Sequence, residues 1–243
     1  PASRLPRTLP RAHSRWRRAG LALAASLLLR ALAGAAWLQY RLAWPEGAAW
    51  RIARVQGAVQ GLGAGAAALE PGAELSTGSD GEVRLQVARI GEIQLAPESR
   101  LRLVQTRSGH HRVGLLHGRM QVRVWAPPMQ FGVELPGAQL WDLGCAFELM
   151  SDREGHGTLT VHSGWVLLER GASEVLVPQG AQVALIAGSA AGTPYDLRAS
   201  QAFRAALAAF DQQPAGAAPS PALAARVAAE AGEGDAISLL SLL

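Results

Sequence analysis

Glu82-Val83-Arg84-Leu85-Gln86-Val87 alternates polar and apolar residues without interruption. Successive side chains of a β-strand point to opposite sides, so the alternation predicts a strand with one buried and one solvated side. The same pattern recurs in 50–55, 92–95, 100–103, 121–125, 158–161, 174–177 and 182–185. Turn residues separate these runs, among them Asp80-Gly81, His117-Gly118 and Ser163-Gly164. The sequence therefore predicts an all-β domain over 50–190, built as a flattened β-solenoid or a sandwich of short strands.

An apolar run precedes the strands, and it predicts a transmembrane helix over 19–40. The basic segment 1–18 before it is expected to stay cytoplasmic, which places the main domain on the periplasmic side of a bacterial inner membrane. Arg30 lies within the run, and Trp37, Tyr40 and Trp44 are expected to form an aromatic belt at its outer end. A cleaved signal peptide and a buried soluble helix are the alternatives.

The charge of the chain is unevenly distributed. The formal net charge is +4, yet residues 1–45 hold eight arginines and no acidic residue, which leaves 15 basic against 19 acidic side chains in the remainder. The folded part is therefore mildly acidic, and this argues against a nucleic-acid partner, because nucleic-acid binding requires clustered basic side chains.

Few residues suggest catalysis. Cys145 is the only cysteine, and its position between Gly144 and Ala146 predicts a small buried side chain rather than a nucleophile. On an undisturbed strand Asp142 and Glu148 would share one face, roughly 20 Å apart and too far for a glycosidase pair. No catalytic or cofactor-binding residue is predicted, and we expect the protein not to be an enzyme.

Histidines are common metal ligands, so their spacing can indicate a metal site. His110-His111 and His117 flank a predicted short strand over 112–116, His156 lies in a glycine-containing loop, and His162 precedes a turn. No pair has the helical spacing of a metal site, so we expect solvent-exposed turn histidines, with no metal and no cofactor.

A helical C-terminal extension is predicted over 195–243. Phe203, Leu207 and Phe210 lie on one face of a helix from Leu197 to Asp211, which is expected to pack against the β domain. After a linker over 212–221, Ser220-Pro221 is expected to start a second helix, and Asp235 to cap a final one over 236–243. The apolar end predicts that the natural chain continues further.

The run from Gly72 to Gln182 resembles a FecR-type domain, the extracytoplasmic module of membrane-bound sigma-factor regulators. The resemblance is carried in order by residues 71–83, 93–101, 114–120, 131–136, 142–147 and 161–166. It implies a periplasmic signal sensor and regulator that acts on a sigma-factor/anti-sigma pathway, with a sigma factor or an anti-sigma protein as partner. The C-terminal extension is similar to an uncharacterised branch of the family.

The N-terminal segment also departs from the family pattern. Residues 1–18 are shorter than the cytoplasmic anti-sigma domain that the resemblance implies, so we expect that activity in a missing N-terminal portion or in a separate protein. The functional alternative is an exported β-solenoid that binds envelope or matrix material without signalling. A third hypothesis, an exported hydrolase, finds no catalytic constellation to support it.

Overall fold

The structure is a computed structural model that describes residues 13–63, 65–189, 191–213 and 220–242. The chain divides into two compact units, Pro1–Arg41 and Leu42–Leu243. Four predicted segments lie partly outside the described residues, namely the basic segment (1–12), the β domain (64 and 190), the linker (214–219) and the final helix (243).

The first unit is dominated by one long helix, α1 (His13–Leu42). Its portion Gly20–Leu42 is long and apolar enough to cross a membrane. At 1.5 Å per residue this portion is about 34 Å long, which exceeds the hydrocarbon thickness of a typical bilayer. A signal sequence shares both properties, so the membrane crossing is a proposal.

The second unit contains the strands and three short helices. The strands are β1 (Trp50–Gln56), β2 (Val59–Gln60), β3 (Ala68–Leu69), β4 (Glu74–Thr77), β5 (Glu82–Val87), β6 (Gly91–Leu95), β7 (Arg100–Arg107), β8 (His110–Val124), β9 (Phe131–Leu135), β10 (Ala138–Asp142), β11 (Ala146–Ser151), β12 (Gly157–Ser163), β13 (Trp165–Arg170), β14 (Ser173–Pro178), β15 (Ala181–Leu185) and β16 (Tyr195–Asp196). The helices are α2 (Gln201–Asp211), α3 (Pro221–Glu230) and α4 (Ala236–Ser241). The prediction of a mostly β chain with one N-terminal apolar helix and short C-terminal helices is confirmed.

The strands form two hydrogen-bonded layers that share β8. One layer has the order β3-β1-β5-β6-β8-β11-β12-β15-β16, and the other has the order β2-β4-β7-β8-β9-β10-β13-β14. Within the described residues β8 and β9 are parallel, and the other pairs are antiparallel. Since a solenoid stacks its successive turns in parallel, this pairing favours the predicted sandwich, and the solenoid is not confirmed.

Strand β8 passes from one layer to the other at Gly118. Residues 110–117 pair with β7 and β9, whereas residues 118–124 pair with β6 and β11. Gly118 has φ +105°, and a Cβ atom there would collide with Ser99. Only glycine fits this bend, since both the backbone angle and the space exclude a side chain. The turn predicted at His117-Gly118 is therefore wrong, because the strand bends there and continues.

A single core lies between the two layers. Fully buried residues come from both, for example Leu85 and Phe147 on one side and Leu101 and Leu168 on the other. The polar residues that alternate with them face outward, as the period of two predicts. The hydrophobic effect of this shared core holds the layers together.

Helices α2 and α3 share a smaller hydrophobic cluster. Phe203 and Leu207 of α2 pack there with Val227 of α3, and Tyr195 of β16 packs against the same cluster. The helix α2 therefore contacts α3 and the edge of the β unit, where its Asp211 carboxylate accepts from the Thr193 amide at 2.8 Å. Ser200 caps α2 through a 3.0 Å bond from the Phe203 amide, which moves the start of the helix from the predicted Leu197 to Gln201.

The last two helices start as predicted, with one difference. Ser220 caps α3 and Pro221 occupies its first turn. Asp235 stands at the start of α4, but its carboxylate accepts from the Gly232 amide at 2.8 Å and makes no capping bond to the helix. The predicted capping role of Asp235 is wrong, because its side chain stabilises the preceding turn.

Candidate functional site

The chain passes into the β unit through a connecting segment, residues 43–49, that is bound to the tip of the β7–β8 hairpin. The Ser108 hydroxyl accepts from the Trp44 amide at 2.8 Å and donates to the Trp44 carbonyl at 3.0 Å. The Ser108 amide donates to the same carbonyl at 3.2 Å, and the Gly47 amide donates to the Thr106 carbonyl at 2.9 Å. A hydroxyl can serve as donor and acceptor together, so Ser108 holds both backbone groups of Trp44.

The side chain of Trp44 is held as firmly as its backbone. Its Nε1 donates to the Ala48 carbonyl at 3.2 Å, and the Arg89 guanidinium lies 5.5 Å from the ring centroid. The Arg89 Nη1 also donates to the Ala43 carbonyl at 2.9 Å. Trp44 packs against the β core and is half-buried. This differs from its predicted place in an aromatic belt, because its contacts tie it to the β domain.

A buried polar chain lies beneath the connecting segment. The Trp50 indole Nε1 donates to Thr106 Oγ1 at 3.2 Å, and Thr106 Oγ1 lies 3.3 Å from His111 Nδ1. An indole nitrogen is only a donor, so the Thr106 hydroxyl proton is available for His111 Nδ1. A neutral His111 fits this contact with Nδ1 as acceptor of the Thr106 proton or as donor to the second lone pair of Thr106 Oγ1.

Burial keeps His111 in that neutral form. Its side chain is 2% exposed, and desolvation, with a smaller contribution from neighbouring His110, lowers its pKa to about 4. The expectation that the turn histidines are solvent-exposed is wrong for His111. Because residues 110–117 form one continuous strand, His111 is on the inner side with Val113 and Leu115.

Aromatic rings connect the connecting segment to the interior. The rings of Trp44 and His111 meet edge-on at 6.5 Å, and the Trp50 ring lies 6.0 Å from His111. Trp50 in turn stacks on Phe131 at 6.5 Å with an interplanar angle of 29°. These separations are typical of favourable aromatic pairs. A displacement of Trp44 would therefore act directly on the His111 ring and, through it, on the rings of Trp50 and Phe131.

The other predicted candidates are scattered. His110 and His162 are exposed, His117 is half-buried on β8, and His156 pairs with Asp152 at 3.1 Å on a surface loop. Within the described ranges, no group of three His, Cys, Asp or Glu residues is arranged to hold a metal ion.

Cys145 and Asp142 form a buried turn. The Asp142 carboxylate accepts from the Gly144 amide at 3.1 Å and from the Cys145 amide at 2.8 Å, and the Cys145 thiol donates to it as well. Cys145 is 3% exposed, and burial, followed by the charge of Asp142, raises the pKa of its thiol. The prediction of a buried Cys145 is confirmed, and its raised pKa differs from the lowered pKa that a nucleophilic cysteine needs.

The same turn separates Asp142 from Glu148. Asp142 ends β10 and Glu148 lies on β11, in different layers. The two carboxylates do not share one undisturbed strand, because the turn at 143–145 interrupts it.

Residues 73–167 match the family model described as FecR protein. The chain contains a FecR domain. The match begins next to β4 and ends within β13, so it includes the layer crossing at Gly118 and the turn at Asp142. The FecR domain also contains Thr106, Ser108 and His111, whereas the connecting segment precedes it. The resemblance stated from the sequence is confirmed.

Part of the chain is similar to solved structures. Two crystal structures of a provisionally assigned anti-sigma factor from Parabacteroides distasonis ATCC 8503 are similar, each with 18% identity and a TM-score of 0.41. The aligned part covers 46% of this chain and 53% of that protein, so the chain spans about half of its length. The comparison with curated proteins returned no match.

Sequence reasoning missed the connection between Trp44, Ser108 and His111. A signal for His111 was present, because the period of two places it on the same side as Val113 and Leu115 once the strand is extended to residue 110. The bond between Trp44 and Ser108 spans 64 residues and left no local signal in the sequence.

Proposed function

We propose that the chain is a single-pass membrane protein whose FecR domain senses or scaffolds in the bacterial periplasm and regulates a sigma-factor/anti-sigma pathway. The observation that carries this proposal is the FecR match over residues 73–167. The apolar helix Gly20–Leu42 supplies the anchor, and the arginines before it favour a cytoplasmic N-terminus.

The connecting segment offers a route from the FecR domain toward the helix. A signal can reach the membrane only through residues whose position depends on the state of the β domain. Trp44 meets this requirement, because its backbone is bound to Ser108 and its ring contacts His111. We infer that a change at the β7–β8 hairpin alters the position or order of residues 43–49.

The protein acts by binding and not by catalysis in this proposal. The buried polar groups that could suggest a catalytic site form hydrogen bonds within the protein. Examples are the bonds from Trp50 to Thr106 and from Cys145 to Asp142. The partner is a sigma factor or an anti-sigma protein.

Partner capture tests the proposal. Full-length tagged protein is cross-linked in the living bacterium, purified from the membrane fraction and analysed by mass spectrometry. We expect a sigma factor or an anti-sigma protein to be enriched over a control that carries only residues 1–45. Deletion of the gene should also change expression from the promoters of that sigma factor. Recovery of neither partner, with unchanged transcription, contradicts the proposal and favours a structural envelope protein.

A Trp44→Ala variant tests the route through the connecting segment. It should reach the membrane at normal levels and bind the partner, yet lose the transcriptional response. Trp125→Ala removes another half-exposed tryptophan of the β unit and is the matched control. Equal responses from both variants would refute the proposed route.

A further inference from the structure

A groove crosses the outer side of the layer formed by β7, β8 and β9. Its volume is about 590 Å³, within the range of small-molecule sites. We call it the sheet groove and define it by Arg100, Arg102, Gly114, Leu116, Glu134 and Arg153. It lies apart from the connecting segment, so its occupancy is a question separate from the regulatory role proposed above.

The sheet groove exists because Gly114 has no side chain. Arg102, Gly114 and Glu134 are cross-strand neighbours on three adjacent strands. Strands are about 4.8 Å apart, so the backbones of Arg102 and Glu134 are separated by about 10 Å, with an empty position between them. A Cβ atom on Gly114 would lie 4.0 Å from Arg102 Cβ and 3.8 Å from Val104 Cγ2, which is ordinary contact. A side chain there would therefore fill the groove without disturbing the strand.

The charge of the sheet groove is predominantly positive. Among the described residues, the side chains of Arg102 and Arg153 have no hydrogen-bond or ion-pair partner, whereas the Arg100 side chain binds Glu74 through its Nε at 2.9 Å. Glu134 is the acidic residue of the lining, and it lies 3.9 Å from Arg112. Two guanidinium groups are thus available in a unit that is acidic as a whole.

A buried arginine lines a second pocket, which shares Pro136 with the sheet groove. Arg170 is 7% exposed, and its Nη2 donates to the Gly155 carbonyl at 3.3 Å. Its Nη1 is buried without a partner, and no carboxylate pairs with it in the described part of the chain. A buried cation that lacks a counterion raises the local potential and favours a nearby anion.

The loop that carries Arg153 is held in place. The Asp152 carboxylate accepts from the Glu154 amide at 3.0 Å and from the His156 amide at 2.8 Å. These bonds close an Asx-type turn, so the backbone beneath Arg153 is fixed before any ligand arrives. A preorganised loop loses less entropy when it binds.

We propose that the sheet groove binds a small ligand that carries two anionic groups, carboxylate or phosphate, on an uncharged body. One anionic group is bound by Arg102 and the other by Arg153, because these guanidinium groups project from different elements of the wall. The body contacts Leu116, Leu135 and Pro136, the apolar part of the lining. Bidentate bonds from arginine suit both carboxylate and phosphate oxygens.

Isothermal titration of the full-length protein in an uncharged detergent tests this site. Digalacturonate serves as the carboxylate probe and glucose 1,6-bisphosphate as the phosphate probe, with maltose as the uncharged control. We expect one or both anionic probes to bind with a Kd below 1 mM and to weaken as salt is added, since binding is electrostatic. The probe that binds more tightly shows whether the site prefers carboxylate or phosphate groups. Equal binding of maltose would overturn the proposal.

Variants of the sheet groove provide the decisive comparison. Arg102→Gln combined with Arg153→Gln should weaken binding at least tenfold, and Gly114→Val should abolish it by filling the groove. Arg107→Gln removes an exposed arginine on the same strand outside the groove and should leave binding unchanged. Circular dichroism of each variant checks its folding.

Three further outcomes would overturn the assignment. The first is that neither anionic probe binds at 10 mM, and the second is that binding survives in both the double variant and Gly114→Val. The third is that an aspartate-rich peptide binds through Arg102 and Arg153 while both small probes fail, which would assign the surface to a protein partner. Partner capture does not depend on these titrations, so a failure of this site and a failure of the regulatory role remain distinguishable.

Discussion

Protonation of His111 should destabilise the β unit as the pH falls below about 6.5. The folded protein holds this side chain neutral with a pKa of about 4, against an ordinary value of 6.5. Between these two values the unfolded chain binds more protons than the folded one, so stability increases with pH in that window. The contribution of neutral His111 to the free energy of unfolding is complete above pH 6.5, and it is lost progressively as the pH falls toward 4.

The magnitude follows from the two pKa values. Their difference corresponds to about 3 kcal/mol when His111 is fully protonated in the unfolded chain. About 2 kcal/mol of this is lost at pH 5, because most of the unfolded chains are protonated at that pH. The charged groups of the immediate surroundings offer no compensation, since the neighbour that acts on His111 is His110, which opposes a second positive charge.

Urea unfolding followed by tryptophan fluorescence measures the effect. The full-length protein in an uncharged detergent is unfolded at pH 7, 6 and 5, beside a His111→Gln variant whose amide oxygen can still accept from Thr106. Other titrating groups are common to both proteins, so the difference between their pH dependences isolates His111. We expect the wild type to lose about 2 kcal/mol more than the variant between pH 7 and pH 5.

A second variant distinguishes the effect of burying His111 from the effect of removing any histidine. His110→Gln removes the exposed neighbour and should keep most of the pH dependence, because burial is the larger cause of the lowered pKa. If the free energy of unfolding changed with pH equally in the wild type and in His111→Gln, the assignment of a neutral, buried His111 would be refuted.

Further predictions concern the connecting segment, the thiol and one glycine. Ser108→Ala should cost about 1–2 kcal/mol of unfolding free energy and speed hydrogen exchange of the Trp44 amide, while Ser79→Ala, an exposed serine, should have no effect. Cys145 should resist alkylation by iodoacetamide at pH 8 in the folded protein and react once urea unfolds it, and rapid native labelling would contradict its raised pKa. Gly157→Ala should cost about 3 kcal/mol in urea unfolding, because its new Cβ would collide with the backbone of the paired strand, and an unchanged midpoint would show that the strands separate easily.

The strands were predictable wherever apolar and polar residues alternate between good turn residues. Glu82–Val87 and Ala181–Leu185 follow the period of two closely, and the structure gives them the expected buried and solvated sides. The prediction failed at β8, because His117-Gly118 has the composition of a turn while Gly118 serves as a bend within one strand. Local composition cannot distinguish these two uses of glycine.

The proposed site was much less predictable than the fold. The bond between Trp44 and Ser108 and the sheet groove both depend on which strands become neighbours, and strand order is set by long-range pairing. The turn at Asp142 was predictable, since an aspartate before a glycine commonly accepts from the following amides. Contacts within a few residues could thus be inferred, and contacts across the sheet could not.

Membrane topology is the most direct test of the central claim, and the buried Cys145 makes it straightforward. Single cysteines are introduced as Ser3→Cys, in the predicted cytoplasmic segment, and as Ser79→Cys, in an exposed turn of the FecR domain. A membrane-impermeant maleimide is added to cells whose outer membrane has been made permeable. We predict that Ser79→Cys is labelled at once and remains in the membrane fraction, and that Ser3→Cys is labelled only after lysis. Labelling of Ser79→Cys that requires lysis would place the FecR domain in the cytoplasm and contradict the account.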